Sequence, residues 1–219
     1  MTTFQERARQ GELFAEAVHD LLKEDSLVRC VTRAGIERGD LADVLDDIRR
    51  SGNPMERRLR FNPDGSVLVK CLAHWEAKAS MFIEKEPYEF YSEYEKRGEP
   101  VLLFIAPGLL KNDEISVQAP LWCGRVRDIV LTDGNEYENQ FEKPRPVDAD
   151  GWVRPRSDQY GPRYSLIGRR GSGTPFRPIN ITKSRMVKVS RVNFVRKDGQ
   201  ERCVIQPVLL AGDTIGRLI

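Results

Sequence analysis

Apolar residues recur at helical spacing between positions 4 and 24, where Leu13, Phe14, Ala17, Val18, Leu21 and Leu22 fall on one stripe. That spacing predicts an amphipathic helix. Positions 26–32 (SLVRCVT) read as a short strand, and Asp40 caps a second helix, LADVLDDIRR, which Ser51, Gly52, Asn53 and Pro54 end. RLRF and SVLV then flank Asn62, Pro63, Asp64 and Gly65, a turn sequence with proline second and glycine fourth. The pattern predicts a β-hairpin with this tetrad at its tip and a second strand running on through KCLAHWEAKAS. A helix is expected over PYEFYSEYEKR, with Pro87 in its first turn and Gly98 just past its end. VLLFIA at 101–106 is a continuous apolar run, as a buried central strand requires.

From 111 onward the pattern becomes β-rich. Strands are predicted at SVQAPLW, RVRDIVLT, MVKVSRVNFVR and RCVIQPVLLA, separated by Pro/Gly-rich loops. The stretch from about 134 to 180 is too long for a plain connection, so it is expected to be functional or mobile. The reading is an α/β core at 1–110 and a β-rich extension at 111–219, packed together as one unit.

Composition supports a folded chain. Of 219 residues, 40% are hydrophobic and 8% aromatic, enough for a core. The charged share of 31% and a mean hydropathy of -0.49 make the surface strongly ionic. No apolar run approaches the roughly 18 residues of a membrane span, and MTTFQERARQ lacks the apolar stretch of a secretion signal. Cys30, Cys71, Cys123 and Cys203 lie far apart, and the only histidines are His19 and His74. A reduced, cytoplasmic protein without structural zinc or membrane contact is expected.

Charge changes the picture more. Positions 154–197 hold twelve basic residues against one acid, a local balance of +11, while the remainder carries 23 basic and 32 acidic residues. Nine of the twelve are arginine, which forks onto phosphate. Tyr160, Tyr164, Phe176 and Phe194 are interleaved as stacking platforms would be. A polyanion partner follows, DNA first and RNA second, with Arg163, Arg169, Arg170, Arg177, Lys183 and Arg185 as candidate contacts. The competing account is a basic surface that docks on the acidic remainder of the chain.

The sharpest chemical feature is Glu76-Ala77-Lys78. Strand alternation puts Val67, Val69, Cys71, Ala73, Trp75 and Ala77 on one face, and Lys70, Leu72, His74, Glu76 and Lys78 on the other. A carboxylate and an ammonium then stand about 7 Å apart on one strand face. For phosphodiester cleavage, the carboxylate holds Mg²⁺, and the lysine positions or deprotonates a water and offsets transition-state charge. His74 reads as a partly buried strand histidine. No G-x-x-x-x-G-K-[ST] occurs, the glycine-rich run at 168–173 follows no clear strand, and no nucleophile elbow accompanies the histidines.

The chain presents, in order, a helix with G-x-x-x-x-E (Gly11, Glu16), a hairpin, E-x-K followed by Ala79 and Ser80, a helix and VLLFIA. This order resembles the PD-(D/E)xK nuclease superfamily, the fold of many restriction enzymes and Holliday-junction resolvases, over roughly residues 10 to 106. The resemblance implies a restriction-endonuclease-like αβββαβ core with a mixed sheet, carrying the β-rich basic extension. It further implies a site for one or two Mg²⁺ or Mn²⁺ ions. It assigns the E-x-K roles to Glu76 and Lys78, the PD acid to Asp64 beside Pro63, and a metal-assisting role to Glu16. A homodimer is the family expectation, because cutting two strands calls for two sites.

The predicted hairpin points elsewhere for the acid. With Asp64 at its tip, the twelve residues to Glu76 span about 40 Å of strand, too far to share a metal. Reflecting Glu76 through that turn lands near position 52, where Asp46, Asp47 and Glu56 are the nearest acids. The motif therefore selects Asp64, while the spacing selects Asp47 or Glu56. On a helical wheel Glu16 falls beside Glu12 and Asp20, away from the apolar stripe. The expected function is a metal-dependent DNA endonuclease. A decayed nuclease scaffold that only binds nucleic acid is one alternative, and an assembly protein with an acidic partner is another.

Overall fold

The computed structural model describes residues 4–33, 62–109, 116–154, 175–197, 200–206 and 218–219. The fold is mixed α/β, with a mostly antiparallel sheet. Helix α1 (Phe4–Glu24) leads to β1 (Cys30–Arg33), β2 (Gly65–Leu68), β3 (Leu72–Lys78) and the short β4 (Phe82–Glu84). Helix α2 (Lys85–Lys96) and β5 (Val101–Ile105) follow, then β6 (Ser116–Arg125), α3 (Gly134–Glu138), β7 (Phe176–Pro178), β8 (Val187–Lys197) and β9 (Gln200–Ile205). Among the described residues, seven strands form one sheet in the order β1-β2-β3-β5-β6-β8-β9, and β4 pairs separately with β7. Within the large sheet β3 and β5 run parallel, joined by a crossover through β4 and α2; the other neighbours are antiparallel.

Each face of the sheet buries its own core. The stripe on α1 places Leu13, Phe14, Val18 and Leu22 against Val67, Ala73, Trp75, Leu102 and Phe104. The opposite face carries Val101, Leu103 and Ile105 with Ile83 and Tyr91. β5 is buried at all five positions because it is covered on both sides, which explains its unbroken apolar run. Helix α2 ends at Lys96 with Arg97 as its C-cap, and Gly98 follows with a φ of 83°, a left-handed conformation that glycine adopts at no steric cost.

The hairpin lies elsewhere than its turn chemistry suggests. β2 pairs with β3 with Leu68 opposite Leu72 and Gly65 opposite Trp75, so the chain reverses at Val69, Lys70 and Cys71. Asn62, Pro63, Asp64 and Gly65 instead lead into β2, and RLRF lies outside the described residues. Burial decides the matter, because this register puts Val67, Ala73 and Trp75 together under α1. A local turn preference is weaker than several buried side chains. Gly65 serves close packing: a Cβ there would collide with the Thr32 carbonyl oxygen and the Trp75 indole. The indole Nε1 donates to that same carbonyl at 3.3 Å. Gly65→Ala is therefore expected to lower stability by about 2–4 kcal/mol in a denaturant melt.

Two further expectations change. RVRDIVLT is no strand: Arg125 ends β6, and a 3₁₀ turn, Val126–Asp128, follows. The stretch 134–180 carries α3 and β7, with bridges joining Val147 to Val153 and Val153 to Phe176. Its residues 155–174 lie outside the described residues, as does LADVLDDIRR. No helix among the described residues is long and apolar enough to cross a membrane.

Candidate active site

The alternation along β3 directs Ala73, Trp75 and Ala77 toward α1, and His74, Glu76 and Lys78 toward α2. Asp64 stands one residue before β2, across from Glu76. Its backbone N–H donates to Glu76 Oε2 at 3.3 Å, and its Oδ2 accepts from the Ala77 N–H at 2.8 Å. Asp64 and Glu76 are therefore not about 40 Å apart, as a tip at 62–65 would require, because the chain folds back at 69–71 and brings the strand ends together. Asp47 and Glu56, the residues favoured by spacing, lie outside the described residues.

Lys78 completes the cluster. Its Nζ lies 3.0 Å from Glu76 Oε1 and 3.3 Å from Glu84 Oε2. The side chains of Glu76, Lys78 and Glu84 are 10%, 17% and 32% exposed, so solvent screens them only partly. Tyr91, buried on α2, has its phenol close enough to Glu76 to feel its charge. Sequence reasoning missed Glu84 and Tyr91. No motif links either residue to E-x-K; β4 delivers Glu84 and α2 delivers Tyr91.

Charge is unbalanced here. Among the described residues, three carboxylates, Asp64, Glu76 and Glu84, face the Lys78 ammonium, and Arg33 adds a weaker positive pull on Asp64. Burial, then the charge on Glu76, pushes the Asp64 carboxyl up to about 7 against the pull of the Ala77 N–H. Burial would depress the Lys78 ammonium, but Glu84 and then Glu76 outweigh it and hold it above its ordinary range. Burial and the neighbouring Glu76 likewise raise the Tyr91 phenol, which stays protonated. Lys78 is thus held as an ammonium by its two carboxylate neighbours.

The donor set fits a hard divalent cation. Among the described residues no three His, Cys, Asp or Glu side chains form a ready-made metal cage. Mg²⁺ needs none, since one or two carboxylates suffice and water fills its remaining positions. Asp64 and Glu76 are the carboxylates here that could supply oxygen to such a cation, and the Lys78 ammonium, 3.0 Å from Glu76 Oε1, occupies a place where positive charge is held.

Other expected residues fall elsewhere. Glu16 is exposed on α1, against the opposite sheet face, with its Oε1 3.4 Å from Arg33 Nη1. Nothing brings it to Glu76. His74 is satisfied within the sheet, with Nδ1 3.0 Å from Ser66 Oγ, Nε2 3.1 Å from Glu99 Oε2 and the Tyr94 ring 4.5 Å away. The guanidinium of Arg177 donates to the carbonyls of Thr132 at 2.9 Å, Leu131 at 3.1 Å and Asp150 at 3.4 Å, and it lies over Trp152. Arg177 is therefore tied into the β7 region instead of standing open as a phosphate contact. Lys183 and Arg185 are exposed just before β8. Arg163, Arg169 and Arg170 lie outside the described residues. No family model, curated protein or solved structure matches this chain.

Proposed function

We propose that this chain is a metal-dependent endonuclease that hydrolyses phosphodiester bonds in DNA, built on a restriction-endonuclease-like core. The observation that carries the reading is the convergence of Asp64, Glu76 and Lys78 from residues 64 to 78 onto one end of a strand pair. Element order among the described residues adds support: α1, the sheet strands β1, β2 and β3, then, after the short β4, α2 and a β5 parallel to β3, an order that an αβββαβ core would need.

In this reading Asp64 and Glu76 hold Mg²⁺ or Mn²⁺. The bound cation supplies Lewis acidity at the phosphate and a more acidic water. Lys78, kept protonated by Glu84 and Glu76, places a positive charge where the phosphoryl oxygens gain negative charge. The buried Tyr91 phenol closes the Glu76 side of the site against solvent. The basic C-terminal segment, including Lys183 and Arg185, contributes affinity through phosphates, so binding weakens steeply with salt. Two such chains would serve the two strands of a duplex.

The test is incubation of supercoiled plasmid and branched DNA with Mg²⁺ or Mn²⁺, with a chelator control. Wild type is expected to cleave, and Glu76→Gln to lose at least about 100-fold in rate while still binding DNA. Binding without cleavage in either metal would favour the decayed scaffold. Binding that ignores salt would exclude the nucleic-acid reading altogether.

A further inference from the structure

The Lys78 ammonium sits between two carboxylates carried by different elements: Glu76 from its own strand at 3.0 Å, and Glu84 at 3.3 Å from the end of β4. Glu84 stands on a frame independent of β3. Ile83 beside it is fully buried, Glu84 pairs with Phe176 across to β7, and the Lys85 N–H donates to the Pro175 carbonyl at 2.8 Å. Glu84 is also the residue before the first turn of α2, where a carboxylate could accept helix N–H groups. Its side chain makes no such bond and is turned to Lys78 instead.

This arrangement has a consequence for cation binding. A divalent ion that takes Glu76 repels the ammonium beside it and removes that partner from it. An ammonium only 17% exposed and left without an anion is costly. A second anchored carboxylate removes most of that cost and prevents the lysine from swinging away.

Building on the metal-site reading above, we propose that Glu84 is a positioning residue that keeps the Lys78 ammonium at the site while a divalent cation occupies Glu76. Glu84 acts through Lys78 and touches neither cation nor substrate. Its effect on cation affinity must therefore vanish when the ammonium is absent. A direct ligand, or an acid that merely adds negative potential, would act regardless of Lys78.

Calorimetric titration of the full chain with Mn²⁺, without DNA, separates these cases through a double-mutant cycle. Glu84→Gln is expected to weaken Mn²⁺ binding about tenfold, while Glu84→Asp, which retains the charge, stays within about threefold of wild type. In a Lys78→Met background, adding Glu84→Gln is expected to change affinity less than about twofold. Glu84→Ala supplies the same comparison if the glutamine variant does not fold. In cleavage assays Glu84→Gln should lower kcat with KM for DNA unchanged. Equal weakening in both backgrounds, or none in either, overturns the role given to Glu84. Folded wild type that binds no Mn²⁺ overturns the metal reading and the Glu84 role together; tight wild-type binding with an unaffected Glu84→Gln overturns the Glu84 role alone.

Discussion

Lys78→Met is expected to abolish cleavage, with a loss of at least about 100- to 1000-fold, while DNA affinity stays within a few-fold of wild type. The ammonium acts on charge that develops only as the phosphate reacts, so its loss falls on kcat. Methionine preserves much of the aliphatic volume and isolates the effect of charge. The variant should also melt earlier in chelator, by about 2–4 kcal/mol, because Glu76 and Glu84 lose the cation 3.0 and 3.3 Å from them. Added Mn²⁺ should restore part of that stability, since a divalent ion then meets no competing ammonium at Glu76. A variant that still cleaves at the wild-type rate would remove the E-x-K site from the mechanism.

Asp64→Asn is expected to eliminate metal-dependent cleavage and yet stabilise the metal-free protein above neutral pH. The Asp64 carboxyl is raised from 3.8 to about 7, first by burial and then by Glu76. An acid with a raised folded pKa binds its proton more tightly folded than unfolded. Stability is therefore lost as pH climbs from about 4 to about 7, and the penalty is complete above that window. Asparagine carries no charge at any pH. It can keep the acceptor for the Ala77 N–H while presenting an amide donor to Glu76. In chelator at pH 8 the gain should be about 2–4 kcal/mol, shrinking toward zero near pH 4. Divalent cation should reverse the order, stabilising wild type and leaving the variant unchanged. Equal pH dependence of the two melting curves would show that Asp64 does not carry the strained charge.

The two outcomes together describe a site whose function conflicts with local stability. On the proposed reading the buried carboxylates would be costly until a cation arrived, and Lys78 would offset only part of that cost. Surface acids would show no such opposition between activity and melting temperature.

Much of this was legible in the chain. The 3.6-residue stripe of α1, the unbroken VLLFIA run of β5 and the Pro87-to-Gly98 bracket of α2 depend on short-range periodicity and capping, and each element formed where its pattern placed it. The opposite faces of Trp75 and Glu76 also followed from alternation alone, because a strand has period two whatever it pairs with. What alternation could not supply was the partner of Glu76. Turn chemistry at 62–65 pointed to the wrong reversal, since a proline and a glycine in a row signal a turn without regard to what the flanking strands bury. Only packing of Val67, Ala73 and Trp75 beneath α1 selects the reversal at 69–71, and with it the meeting of Asp64 and Glu76. Glu84 and Tyr91 required still more: a crossover that carries β4 and α2 past Glu76 and Lys78 before β5 begins opposite His74. Residue type and spacing determined which groups could do chemistry here, whereas register and crossover, set by long-range burial, decided which of them stand together.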